Sequence, residues 1–157
     1  MSSVILYTTK YGTVAKCASI LKEKASLEIE LIDIKESPDF DIKPFSCVVL
    51  GASVYVEKIQ KEMLAFCKRN REELLKKKIG LYICSGDTGR AGKRYLKLFG
   101  KEIHNHAYSK KLFGSEIYWK KMNPLEKLAM RVIRKSKENS SDIEMSAINE
   151  FVSEMEL

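Results

Sequence analysis

The chain has 157 residues, 45% of them apolar and 31% charged, with a formal net charge of +7. These values fit a single globular domain with a core of its own, residues 1–157, and exclude a repeat array or a low-complexity chain. No apolar run is long enough to span a bilayer, and the N-terminus lacks the basic-then-apolar pattern of a secretory leader, so a cytoplasmic protein is expected.

In chain order, the first element is an apolar strand, Val4–Tyr7, that runs straight into Thr8-Thr9-Lys10-Tyr11-Gly12-Thr13. A helix follows over Thr13–Lys24, with Val14, Cys17, Ala18 and Leu21 on one face. The first N–H groups of a helix lack partners within it, and its dipole adds partial positive charge there, so this loop suits a phosphate. The hydroxyls of Thr8, Thr9 and Thr13 can donate to phosphate oxygens, and Gly12 lets the backbone come close. The same residues also fit an ordinary strand-to-helix turn with Thr13 as N-cap.

A second strand is expected over Ile29–Asp33, then a turn or loop over Asp39–Phe45, marked by Pro38 and Pro44. Cys47–Leu50 and Ile79–Cys84 are continuous apolar runs, which suit strands covered on both faces. Between them Gln60–Lys76 reads as a helix that turns Met63, Leu64, Phe66, Cys67, Leu74 and Leu75 inward. A weaker strand lies around Lys111–Tyr118. Asn123-Pro124-Leu125-Glu126 reads as a helix start, with Asn as N-cap and Pro at the first position. Leu125, Leu128, Ala129, Val132 and Ile133 then recur at helical spacing beside Lys127, Arg131, Arg134 and Lys135, giving a basic amphipathic helical insertion at about 119–137. A polar loop, Ser136–Ser141, leads to a last amphipathic helix ending near Met155, packed through Ile148, Phe151 and Val152.

Alternating strands and helices imply a doubly wound α/β sheet with right-handed crossovers. In such sheets ligands bind outside the carboxyl ends of the strands. Three loops should therefore converge: Thr8–Thr13, Gly51–Ile59 and Ser85–Lys93.

Several other chemistries do not fit. A phosphate-accepting receiver domain needs acidic residues where this chain has Thr8-Thr9 and Gly51-Ala52. Gly92-Lys93 lacks the glycine a nucleotide P-loop requires at Asp87, and no G-x-G-x-x-G follows the first strand. His104 and His106 have no cysteine or acid spaced to complete a metal site, so no metal is expected. Cys17, Cys47, Cys67 and Cys84 are widely spaced without C-x-x-C, which reads as reduced, mostly buried thiols. The interleaved aromatics expected for single-stranded nucleic acid are sparse in the basic segment, which weighs against that partner without removing it.

Together the three loops resemble the flavodoxin-like FMN-binding family, over nearly the whole chain. Thr8-Thr9-Lys10-Tyr11-Gly12-Thr13 resembles its hydroxyl-rich phosphate loop, Gly51-Ala52-Ser53-Val54-Tyr55 the loop that packs against the isoalloxazine, and Cys84-Ser85-Gly86-Asp87-Thr88 the loop at the ring's other edge. The resemblance implies a five-stranded parallel sheet of order 2-1-3-4-5 with helices on both faces, and FMN as cofactor. It implies cofactor contacts from Thr8, Thr9, Lys10, Tyr11, Gly12, Thr13, Ala52, Ser53, Val54, Tyr55, Ser85, Gly86, Asp87 and Thr88. More narrowly, the chain is similar to the branch containing menaquinone-dependent protoporphyrinogen oxidase, in which a Gly-Ala-Ser start leads into a helix and a basic helical segment follows the fifth strand, as in Gly114–Lys137 here.

An aromatic face at Tyr55 would add about 1 kcal/mol by stacking. Lys10, Lys58, Arg90, Lys93 and Arg94 are placed to surround such a site, where acidic electron carriers have negative charge. Implied partners are a redox protein or a small-molecule or quinone acceptor. The basic helix over 120–137 can either lie in the headgroup region of an anionic membrane at its inner face or pack on its own core. Two classes of function stay open: an FMN redox protein, as electron carrier or as oxidoreductase, and a non-catalytic basic module that binds a membrane or RNA. No side chain is singled out as catalytic.

Overall fold

The computed structural model describes residues 2–117, 124–125 and 140–157. Its elements are β1 (Ser3–Tyr7), α1 (Thr13–Lys24), β2 (Ile29–Asp33), β3 (Cys47–Ser53), α2 (Lys61–Arg69), α3 (Arg71–Leu74), β4 (Lys78–Cys84), α4 (Arg90–Lys93), a 3-10 helix (Arg94–Phe99), α5 (Lys101–His106), β5 (Ser109–Ile117), β6 (Ser140–Ile143) and α6 (Met145–Met155). The sheet order is β2-β1-β3-β4-β5-β6. The first five strands pair in parallel, and β6 adds an antiparallel edge against Gly114–Ile117.

Strand alternation divides the core between the two faces. Val4, Leu6, Val48, Leu50, Ile79 and Leu81 pack with Met63 and Phe66 of α2 and Phe99 of the 3-10 helix. Ile5, Val49, Tyr82 and Phe113 pack with Val14, Cys17 and Leu21 of α1 and Ile148 and Phe151 of α6. Tyr82 is fully buried, stacks on Phe113 with ring centroids 4.6 Å apart, and donates its hydroxyl to the Val14 carbonyl at 3.0 Å. That bond ties the middle of the sheet to the first turn of α1. Burial holds its phenol well above the ordinary tyrosine value, so it stays a donor. All four cysteines are buried and free. The Cys84 thiol donates to Cys17 Sγ at 3.8 Å, a separation too long for a disulfide, and burial pushes the Cys67 thiol up to about 12.

Several boundaries differ from the sequence expectation. The helix expected over Gln60–Lys76 is two helices, because Asn70 leaves helical geometry and its side-chain amide donates to the Phe66 carbonyl at 3.0 Å. Leu64 faces solvent rather than the core, at 41% exposure. β3 runs on through Gly51, Ala52 and Ser53, which pair with Tyr82, Ile83 and Cys84, so the second loop begins at Val54. Ser140 and Ser141 belong to β6 rather than to a loop, a short polar edge strand with no apolar alternation to reveal it. Of the expected basic helix, Pro124 and Leu125 are helical and exposed, while Tyr118, Trp119 and the rest of 118–139 lie outside the described residues. Among the described residues no helix is long and apolar enough to cross a membrane.

Gly51 is where sheet and site meet. A Cβ there would stand 2.1 Å from the Tyr82 ring carbon Cζ, inside the fully buried core. Gly51→Ala is expected to cost about 1–3 kcal/mol or more by overpacking, read as a lower denaturation midpoint at unchanged slope.

Candidate functional site

Parallel pairing brings the ends of β1, β3, β4 and β5 to one edge, and the loops leaving them enclose a crevice of about 110 Å³. Thr9, Lys10, Tyr11 and Thr13 line it from the first loop, Ser53, Val54 and Tyr55 from the second, and Ser85 and Gly86 from the third. Cys84, Ser115 and Glu116 complete the wall.

The first loop leaves the N-terminus of α1 without a side-chain cap. Gly12 occupies the N-cap position at φ 100, a left-handed conformation that favours glycine, and no side chain caps the helix. Thr13 is therefore the first helical residue, not the cap. The Gly12 N–H donates to Thr9 Oγ1 at 2.9 Å, and the Lys16 N–H closes the first helical turn on the Gly12 carbonyl. The N–H groups of Thr13, Val14 and Ala15 have no acceptor within the helix, and α1 is 12 residues long, so the dipole at this end is well developed. Thr8 is placed differently. Its side chain is fully buried and its hydroxyl donates to Gln60 Oε1 at 2.9 Å, away from the crevice.

Gln60 fastens two loops together. Besides accepting from Thr8, its Oε1 accepts from the Ser53 N–H at 3.2 Å, and its Nε2 donates to Ser53 Oγ at 2.8 Å. The second loop is a tight hairpin in which Tyr55 and Lys58 exchange backbone hydrogen bonds at 2.8 and 3.1 Å. Its two tip residues, Val56 at φ 49 and Glu57 at φ 59, adopt the left-handed region that asparagine and glycine usually fill. Tyr55 is 39% exposed, and the Lys10 ammonium stands 3.1 Å from its ring centroid, a cation–π contact between the first and second loops.

In the third loop Ser85 is buried, its N–H donating to the Gly114 carbonyl at 2.9 Å and its hydroxyl accepting from the Asp87 N–H at 3.2 Å. Asp87 in turn accepts from the Gly89 N–H. Asp87 and Thr88 are exposed outside the crevice, and Ala52 points into the core. Thr88 lines a neighbouring cleft of about 550 Å³ with Arg90, Lys93, Arg94, Lys97 and Lys110 around an apolar floor of Leu96 and Leu112. The five expected cations thus split. Lys10 is in the crevice, Lys58 is in the hairpin opposite Tyr55, Arg90 and Lys93 are in the cleft, and Arg94 lines the cleft while pairing with Glu57 of the hairpin tip at 3.0 Å. Burial, with smaller contributions from the nearby Lys110 and Lys97, holds His104 below its ordinary value. His106 donates to the Lys77 carbonyl, and among the described residues no group of His, Cys, Asp or Glu could hold a metal.

Gln60 and Glu116 carried no signal in the sequence. Gln60 reads as the first residue of a helix. Glu116 falls in a weak strand and reaches the site through a bulge: Ile83 pairs with Leu112 but Cys84 with Gly114, and Gly114 sits at φ 81. The bulge bends the end of β5 so that Ser115 and Glu116 both line the crevice.

These features define a doubly wound α/β domain with a polar crevice at the carboxyl edge of its parallel sheet. The chain belongs to the flavodoxin domain family, which it matches over residues 4–144. It is similar in fold to a flavoprotein from Lactobacillus acidophilus solved in complex with FMN (TM-score 0.52, 12% identity, 73% of this chain and 91% of that one). It is also similar to oxidised flavodoxin 1 from Bacillus cereus (0.52, 18%, 73% and 84%) and to a short-chain flavodoxin associated with a bacterial microcompartment (0.55, 19%, 86% and 99%). No curated protein matches the sequence.

Gln60→Leu should destabilise by about 1–3 kcal/mol, because it strands the buried Thr8 hydroxyl. Adding Thr8→Val should recover part of that loss, which a double-mutant cycle in urea would register as a coupling of opposite sign.

Proposed function

We propose that the chain is an FMN-binding redox protein of the electron-transfer or oxidoreductase type, with the phosphate at the Thr9–Thr13 loop and the ring between the Tyr55 and Ser85-Gly86 loops. The observation that carries this reading is the convergence of three loops on one crevice whose floor is an uncapped helix N-terminus. Family membership supports it independently. Thr9 and the N–H groups at the start of α1 would hold the phosphate, and the hydroxyl of Thr13, beside them, would add a donor. The enclosed space suits only part of a mononucleotide, so the ring would extend into the open mouth beside Tyr55, where Lys10 would have to share or yield the aromatic face. When bound, FMN supplies the electron-transfer chemistry itself, and the chain needs no catalytic side chain for that step.

A narrower reading is an oxidoreductase similar to menaquinone-dependent protoporphyrinogen oxidase, which would pass electrons from a carboxylate-bearing substrate to a quinone. The basic cleft favours it, because Arg90, Lys93, Lys97 and Lys110 around Leu96 and Leu112 suit an apolar body carrying carboxylates, next to the third loop. Residues 120–137 would then be the membrane-facing segment.

Two measurements test this. The wild type should bind FMN more tightly than riboflavin. Thr9→Ala/Thr13→Ala should weaken FMN about ten- to hundredfold and leave riboflavin nearly unchanged, since only the phosphate contacts are lost. Equal losses for both ligands would contradict the phosphate assignment, and no flavin uptake at all would favour the non-catalytic basic module.

A spectroelectrochemical titration addresses the charge around the ring. Lys10 in the crevice and Lys58 in the adjacent hairpin favour the anionic reduced flavin, so the second one-electron couple should lie above that of acidic flavodoxins and fall as salt screens them. A strongly negative second couple, insensitive to salt, would contradict it.

A further inference from the structure

Among the described residues two buried side-chain oxygens have no hydrogen-bond partner, Ser3 Oγ and Glu116 Oε2. Ser3 lies at the amino end of β1, beside Cys47 of β3 and far from the crevice. Glu116 lines the crevice itself, with its side chain only 4% exposed. Its other oxygen is fully engaged: Oε1 accepts from Lys16 Nζ at 2.5 Å and from Ser141 Oγ at 2.9 Å. The carboxylate is thus held rigidly from α1 on one side and β6 on the other. Its second oxygen is left buried with nothing to accept from. Such a group is unfavourable on its own and calls for a donor from outside the described residues.

The position limits what that donor can be. Ser115 stands against the third loop, since a Cβ on Gly86 would lie 3.8 Å from Ser115 Oγ. Glu116 is bound to Lys16, one helical turn after Thr13. The end of β5 therefore spans from the loop proposed for the ring to the helix proposed for the phosphate. A phosphate oxygen has no proton to give and would be repelled by the carboxylate. The part of a flavin mononucleotide that joins ring to phosphate is a chain of hydroxyls, each able to donate.

We propose that Glu116 Oε2 accepts a hydrogen bond from a hydroxyl of the sugar-alcohol chain of the bound flavin, with Lys16 neutralising the carboxylate and Ser141 orienting it. This rests on the flavin reading above and extends it to a wall of the site formed by β5 and β6. It assigns Glu116 to the portion of the ligand that FMN and riboflavin share and that lumiflavin lacks.

The three flavins, titrated by fluorescence quenching into wild type, Glu116→Met and Glu116→Gln, separate the possibilities. Met fills the same volume without a strong acceptor. Gln keeps the shape and a neutral acceptor, and carries the test if the Met variant does not fold by circular dichroism. Glu116→Met is expected to weaken FMN and riboflavin equally, about tenfold, and to leave lumiflavin unchanged, with Glu116→Gln showing the same pattern at smaller size. Unchanged affinities, an equal loss for lumiflavin, or a gain confined to FMN would each overturn the assignment while leaving the flavin site intact. A wild type that binds none of the three would instead overturn the flavin reading itself.

Discussion

A parallel strand must be entered from the same end as its neighbour, so each chain crossing returns over a face of the sheet and each strand exits at the same edge. Five such strands pair here, and four of them, β1, β3, β4 and β5, deliver their exits to one crevice. Both faces are consequently covered, which is why β3 and β4 are almost continuously apolar. The polar groups concentrate where the sheet stops. The packing that makes this edge possible is tight: Gly51 leaves room for the Tyr82 ring, and Tyr82 reaches across to the first turn of α1.

Polar fastening then shapes the edge. Gln60 joins the end of β1 to the end of β3 through Thr8 and Ser53. Lys10 joins the first loop to the hairpin through the Tyr55 ring. Lys16 joins α1 to the end of β5 through Glu116. These contacts fix the loops in part before any ligand arrives, which lowers the ordering cost that binding would otherwise carry. The hairpin tip is the exception. Val56 and Glu57 hold left-handed conformations worth roughly 1–3 kcal/mol of strain each, stored beside the proposed ring position.

Much of the architecture is legible in the sequence because burial writes it in runs and periods. β1, β2, α1, the cores of β3 and β4, and α6 stand where the apolar pattern puts them. Glycine followed by a helix marks the turn that opens α1, although the cap position falls on Gly12 rather than Thr13. What the pattern cannot carry is side-chain direction and long-range pairing. Thr8 looks like a phosphate donor until the fold turns it toward Gln60, 52 residues away. β6 has no alternation to betray it, because it is a polar edge strand. Glu116 enters the site only through a one-residue bulge, which no local periodicity reports.

The account turns on whether the crevice at the start of α1 takes up FMN, and fluorescence titration of FMN into the purified wild-type protein reads this directly. Saturable one-to-one quenching, with a shift of the flavin absorption bands, is the predicted result. An unquenched, linear fluorescence rise with no spectral shift, from a chain that is folded by circular dichroism, would contradict it and leave the flavodoxin architecture without its cofactor.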